Sequence, residues 1–185
     1  MDVPSILSCK RSSHTARLMA ALYQKSESQV RNMNHEQYIG QSVKGHYELR
    51  WDLEHSSQIF SFDFMPVETF DECYPTGLLA AKVSVEQLDL LLPTLHRPPL
   101  VELWSKGDKY KILGLLSHIH QNKAVSPPFI AISPYPTDDW KLAIQGGTHR
   151  YSIAKDLGQE VVPVHLDPSQ KIEYEKYLEL EYLEV

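Results

Sequence analysis

Five consecutive residues, Gly146, Gly147, Thr148, His149 and Arg150, hold the densest potential for chemistry in this 185-residue chain. Glycines leave the main chain bare, so an anion can approach backbone N–H groups that a Cβ would shield. Thr148 adds a hydroxyl, His149 an imidazole and Arg150 a forked cation matched to phosphate oxygens. That set suits the phosphates of a nucleotide. The competing reading is an ordinary Gly-Gly turn with solvated His and Arg, because short glycine motifs recur by chance.

Stepping outward, the flanking pattern predicts how the five residues are held. Residues 140–145 read as a strand and 146–147 as a sharp turn. Residues 148–157 read as a helix ended by Gly158, and 161–166 as a second strand. A turn feeding directly into a helix aims unpaired amides and the positive end of the helix dipole at one spot.

This segment resembles the nucleotide-binding loop of the ParB/sulfiredoxin superfamily, which in sulfiredoxins reads Gly-Gly-Cys-His-Arg, then an aromatic residue and a helix. Here the register holds Gly146, Gly147, Thr148, His149, Arg150 and Tyr151. Upstream, Pro127 and Pro128 precede the predicted strand at 129–133, as a Pro-Pro pair does in sulfiredoxins; downstream, the strand containing Pro163 resembles the family's closing strand. The likeness covers about residues 80–168. It implies an α+β fold, a small mixed β-sheet with flanking helices, that binds ATP or ADP, with Mg²⁺ carried mainly by phosphate oxygens. It further implies that Lys111 is a helix lysine contacting the nucleotide and that Arg97, in an Arg-Pro turn, lies near it. The alternative for Lys111 is a solvated lysine.

The departures from the family matter as much. Sulfinic acid reduction needs a thiolate where Thr148 stands, and Cys9 and Cys73 lie outside the loop, which argues against that reaction. Partition-type ParB proteins use a Glu-Arg-Arg loop that Thr148-His149-Arg150 does not match, and no helix-turn-helix module follows. ParB-like serine kinases use Asp-Gly-His-His-Arg, of which only Gly147, His149 and Arg150 match. The resemblance therefore implies a nucleotide pocket, with His149 and Arg150 the candidates for catalysis in phosphoryl transfer or nucleotide hydrolysis, as an ATPase or small-molecule kinase. Two alternatives stand beside it: a ParB-like DNA-binding protein or nuclease, and a non-catalytic interaction module.

Composition bounds these readings. The chain is 42% hydrophobic and 23% charged, ordinary for a globular protein, and its net charge of −6 disfavours general nucleic-acid binding. Residues 1–31 nevertheless carry five basic against two acidic side chains, and residues 167–185 six acidic against two basic. The basic end offers a route to DNA, although solvated helix faces are the favoured reading of both ends. Two distant cysteines imply a reducing compartment without disulfides or structural zinc, and no run approaches the roughly 18 apolar residues of a membrane span. A cytoplasmic protein without a membrane partner is expected.

Along the rest of the chain, 13–30 reads as an amphipathic helix. Tyr47, Leu49, Trp51 and Leu53 alternate with polar residues, as do Phe60, Phe62 and Phe64, which predicts an antiparallel hairpin. These elements give an N-terminal helix and β-hairpin extension over 1–77, followed by a nucleotide-binding domain over 78–185. The extension ends in a loop at 66–77; in the domain that follows, 78–83 is a strand, and Ser84 opens a helix that Pro93 stops. Residues 109–121 form a second helix with Ile112, Leu115, Leu116 and Ile119 on one stripe. His118 and His120 cannot share a metal ion, because i and i+2 point about 200° apart on a helix. Asp138 and Asp139 are explained by turn chemistry. Asp167-Pro168 starts a final helix expected to run to Tyr182.

Overall fold

A computed structural model describes residues 34–62, 65–105, 109–134 and 140–184. Five strands, β1 (Leu79–Ser84), β2 (Phe129–Ile132), β3 (Leu142–Gly146), β4 (Val161–Leu166) and β5 (Glu181–Leu183), form one sheet in the order β3-β2-β4-β1-β5. The pair β2–β4 is parallel and the other three pairs are antiparallel, so the sheet is mixed and the class is α+β.

Alternation along the strands sends two sets of side chains to opposite faces. Val162, Val164 and Leu166 of β4 join the larger core beneath α2 (Val85–Leu91), α3 (Leu100–Ser105), α4 (Lys109–His120) and α5 (Thr148–Asp156). The other face carries Phe129 and Ala131, covered by α1 (Val67–Cys73) through Phe70 and by Phe62, Tyr74 and Leu78. Phe62 lies 4.4 Å from Phe129 and 5.6 Å from Tyr74, ring centroid to centroid. That second layer is small, aromatic and built entirely from the chain before β2.

Local signals explain most of these elements. The Ser84 hydroxyl accepts from the Glu86 N–H and opens α2. Gly158, at φ +83°, takes the left-handed turn that ends α5. The outer edge of β3 is not left bare: the Lys141 N–H donates to the Leu91 carbonyl, and the Ile144 N–H donates to His96 Nδ1 at 2.9 Å.

Three expectations are corrected. Among the described residues, 47–53 and 60–62 do not pair as a hairpin. Tyr47, Leu49 and Trp51 do alternate inward, but as an irregular strap whose one ladder contact is a parallel bridge from Trp51 to Val125. The strap is tied elsewhere by side chains: Asp156 accepts from the Val43 N–H, and the Trp51 indole donates to Gln159. Residues 55–61 then coil into a 3-10 turn, because Gln58 and Ser61, three apart, both have buried partners. Second, the loop expected at 66–77 contains α1. Third, the C-terminal helix stops early. After a 3-10 turn (Pro168–Gln170) and one helical turn, α6 (Lys171–Tyr174), the chain turns back and pairs with β1 as β5. The basic helix expected at 13–30, Cys9, Phe64, Asp138 and Asp139 lie outside the described residues. No described helix is long and apolar enough to cross a membrane.

Candidate functional site

The turn between β3 and α5 is built much as the dipeptide requires. Gly147 is the N-cap of α5 at φ +93°, a conformation that favours glycine, and it places no side-chain oxygen over the first helix amides. Its neighbour is closely approached by backbone. A Cβ on Gly146 would sit 1.9 Å from the Ser61 carbonyl oxygen and 3.3 Å from Phe62 Cα, so the strap passes directly against it. Gly147 is closely packed too: a Cβ there would fall 2.8 Å from Pro128 Cα and 2.9 Å from the Arg150 guanidinium, so both glycines admit the protein's own atoms.

A cavity of about 630 Å³ opens at this turn. Its base is the stretch 145–150, and its floor includes Val125 and Ser126. Helix α4 supplies one wall through Tyr110, Lys111, Gly114, Leu115 and His118; Asp52, Ser57 and Phe60 contribute from the strap and its 3-10 turn. Lys111 and the loop, 35 or more positions apart in sequence, therefore share one hollow. Arg97 is not among the residues that line it. Against the protein's net charge of −6, the described lining residues include Lys111 and Arg150, two imidazoles, and a single carboxylate, Asp52. Together with the helix dipole, that balance favours an anionic occupant.

Arg150 is less exposed to a ligand than its sequence position suggests. Its guanidinium donates to the carbonyl of Ser126 at 2.6 Å and, at 3.4 Å, to those of Pro127 and Ser61. It clips the strap and the segment before β2 to the start of α5. Behind it lies His165 of β4, fully buried. His165 Nδ1 is 2.6 Å from the Ser61 hydroxyl, which also touches the Ser126 hydroxyl at 2.7 Å and donates to the Pro127 carbonyl at 2.9 Å. With Ser61 donating to Pro127, a proton on Nδ1 satisfies the hydroxyl oxygen from the other side. Burial, reinforced by the Arg150 charge and opposed by Asp52, pushes the His165 pKa down to about 3, so this ring is neutral.

Several lining residues carry no sequence signal that points to them. Asp52 is positioned by its own N–H bond to the Val125 carbonyl, and its side chain accepts the Glu54 N–H in a turn. Gln145 is exposed at a register shift in β3, where Phe129 pairs with Gly146 and Ile130 with Ile144, leaving Gln145 as the extra residue. His118 and His120 diverge as their spacing predicts: the first lines the cavity and bonds the Ala124 carbonyl, whereas the second packs edge-on against His35. Among the described residues, no group of three or more His, Cys, Asp or Glu could hold a metal ion.

No family model, curated protein or solved structure matches this chain. The reading of the site therefore rests on its own residues.

Proposed function

We propose that the cavity binds the phosphates of ATP or ADP and that the protein is a nucleotide-dependent enzyme of phosphoryl transfer or hydrolysis, similar in fold and loop to the ParB/sulfiredoxin superfamily. The observation that carries this reading is the meeting of Lys111 with the Gly147–Thr148–His149 turn around one cavity large enough for a small ligand. In it the amides at the start of α5 and the Thr148 hydroxyl hold phosphate oxygens, and Lys111 and His149 balance charge on the transferring group. Arg150 acts chiefly by keeping Ser126, Ser61 and the turn in register, through its bonds to carbonyls. A bound nucleotide supplies the phosphoryl group, and a divalent cation would be held mainly by its oxygens. Among the described residues, Asp52 is the carboxylate in the cavity that can take a proton from an attacking hydroxyl or water.

Calorimetric titration with ADP tests this reading. His149→Ala and Lys111→Ala each weaken binding by about 1–3 kcal/mol, the range for a lost charged hydrogen bond. Asp52→Asn retains binding and loses phosphate release from ATP. Equal ADP affinity in wild type and both alanine variants would remove the proposal.

A further inference from the structure

We propose that Phe60 and Tyr110 grip the flat ring of a nucleobase at the cavity mouth, so that the site takes a nucleoside phosphate in preference to a bare polyphosphate or a phosphorylated sugar. This rests on the phosphate reading above and specifies the other end of the same ligand. Large aromatic side chains are usually highly buried in a folded chain, yet Phe60 is 66% exposed and Tyr110 56% exposed, and both line this one cavity. They come from different elements, Phe60 from the 3-10 turn after the strap and Tyr110 from the first turn of α4.

Neither exposure is slack in the chain. Gln58 accepts the Leu78 N–H at 2.7 Å and donates to the Leu78 carbonyl at 3.3 Å, and Ser61 is held by Ser126 and His165. With residues 58 and 61 anchored inward, Phe60 between them is committed to the outside. Tyr110 stands on a 12-residue helix anchored by the buried Ile112, Leu113 and Leu116. Rings presented by fixed elements lose little freedom on binding, which is where aromatic contacts gain their affinity. The Lys109 ammonium sits 5.2 Å from the centre of the Tyr110 ring, a cation–π contact. One helical turn on, Gly114 keeps the wall open: nothing lies within 4 Å of where its Cβ would stand. Among the described residues, the α4 wall is thus open at the Gly114 position. Stacking of this kind accepts any base, because every base has a π-face. The inferred selectivity is for a nucleoside over no nucleoside, without preference among bases.

Calorimetry of the full chain with ADP and with pyrophosphate separates the two ends. Wild type is expected to bind ADP more tightly than pyrophosphate. Phe60→Ala and Tyr110→Ala each lower ADP affinity about 5- to 150-fold, the stacking range for one base, and leave pyrophosphate affinity unchanged; Tyr110→Phe keeps the wild-type ADP affinity. Unchanged ADP affinity in both alanine variants, or pyrophosphate weakened in step with ADP, overturns the grip. Wild type binding pyrophosphate with no gain for ADP overturns the grip alone. Binding of neither ligand overturns the phosphate reading and the grip with it.

Discussion

Gly114→Leu offers the sharpest separation of fold from site. Gly114 lies inside α4, where glycine costs about 0.8–1 kcal/mol against alanine, and leucine is nearly as good a helix former. Most glycines in a packed protein resist replacement because a side chain has nowhere to go. This one meets no atom within 4 Å of an added Cβ, and it faces the cavity. The substitution should therefore raise stability by about 0.5–1 kcal/mol, a gain of about 1–4 °C in Tm for a chain of this length. The same side chain enters the cavity between Tyr110 and the glycine turn. A ligand forced against it faces an overpacking cost of about 1–3 kcal/mol, which is a loss of about 5- to 150-fold in affinity. Differential scanning calorimetry and ADP titration on the same preparation read both quantities. A fall in Tm would show that the wall at Gly114 is closed. A rise in Tm with unchanged ADP affinity would place the ligand elsewhere.

The other predictions concern what stands behind the cavity. Gly146→Ala should destabilise by at least about 1–3 kcal/mol, since its Cβ would fall 1.9 Å from the Ser61 carbonyl oxygen, a main-chain atom that can move only with the strap; chemical denaturation with wild-type stability would refute that contact. Stability should also fall as the solution is acidified through the histidine range. The unfolded chain takes up a proton on His165 near pH 6.5, while the folded chain resists it until about pH 3. The contribution is complete above about pH 6.5 and declines below it at about 1.4 kcal/mol per pH unit, approaching about 5 kcal/mol in all. Burial lowers the pKa of His96 as well, with the same sign. Urea midpoints measured between pH 7 and pH 5 test this slope, and a flat profile over that interval would contradict the buried, neutral ring.

The parts of the fold legible in the sequence are those decided within a dozen residues. The strand, turn and helix around Gly147, the capped start of α2 at Ser84 and the long apolar stripe of α4 all follow from local periodicity and punctuation. What failed was decided at long range. The alternation of Tyr47, Leu49 and Trp51 is real as burial, yet alternation cannot say whether a neighbouring strand exists, and here side chains such as Asp156 and Gln159 hold the segment instead. The capping residues Asp167 and Pro168 do begin a turn, as they should. Its early end comes from β1, whose second edge is paired by residues 181–183. The candidate site divides in the same way. The loop was visible because its chemistry is contiguous; Asp52, Phe60 and Tyr110 were not, because only folding brings them to it. Arg97, placed near the nucleotide by resemblance alone, is not a lining residue.

The carbonyl of Ser61 pressed against Gly146 has a consequence for how the molecule can be cut. A fragment beginning at residue 78 would keep every residue of the glycine turn and lose the backbone that seats it, along with the carboxylate of Asp52 and the ring of Phe60. What looks in the linear chain like a self-sufficient motif with a dispensable leader is one half of a vessel whose other half is made first during synthesis. The pocket comes into being only when the later half closes onto the earlier one.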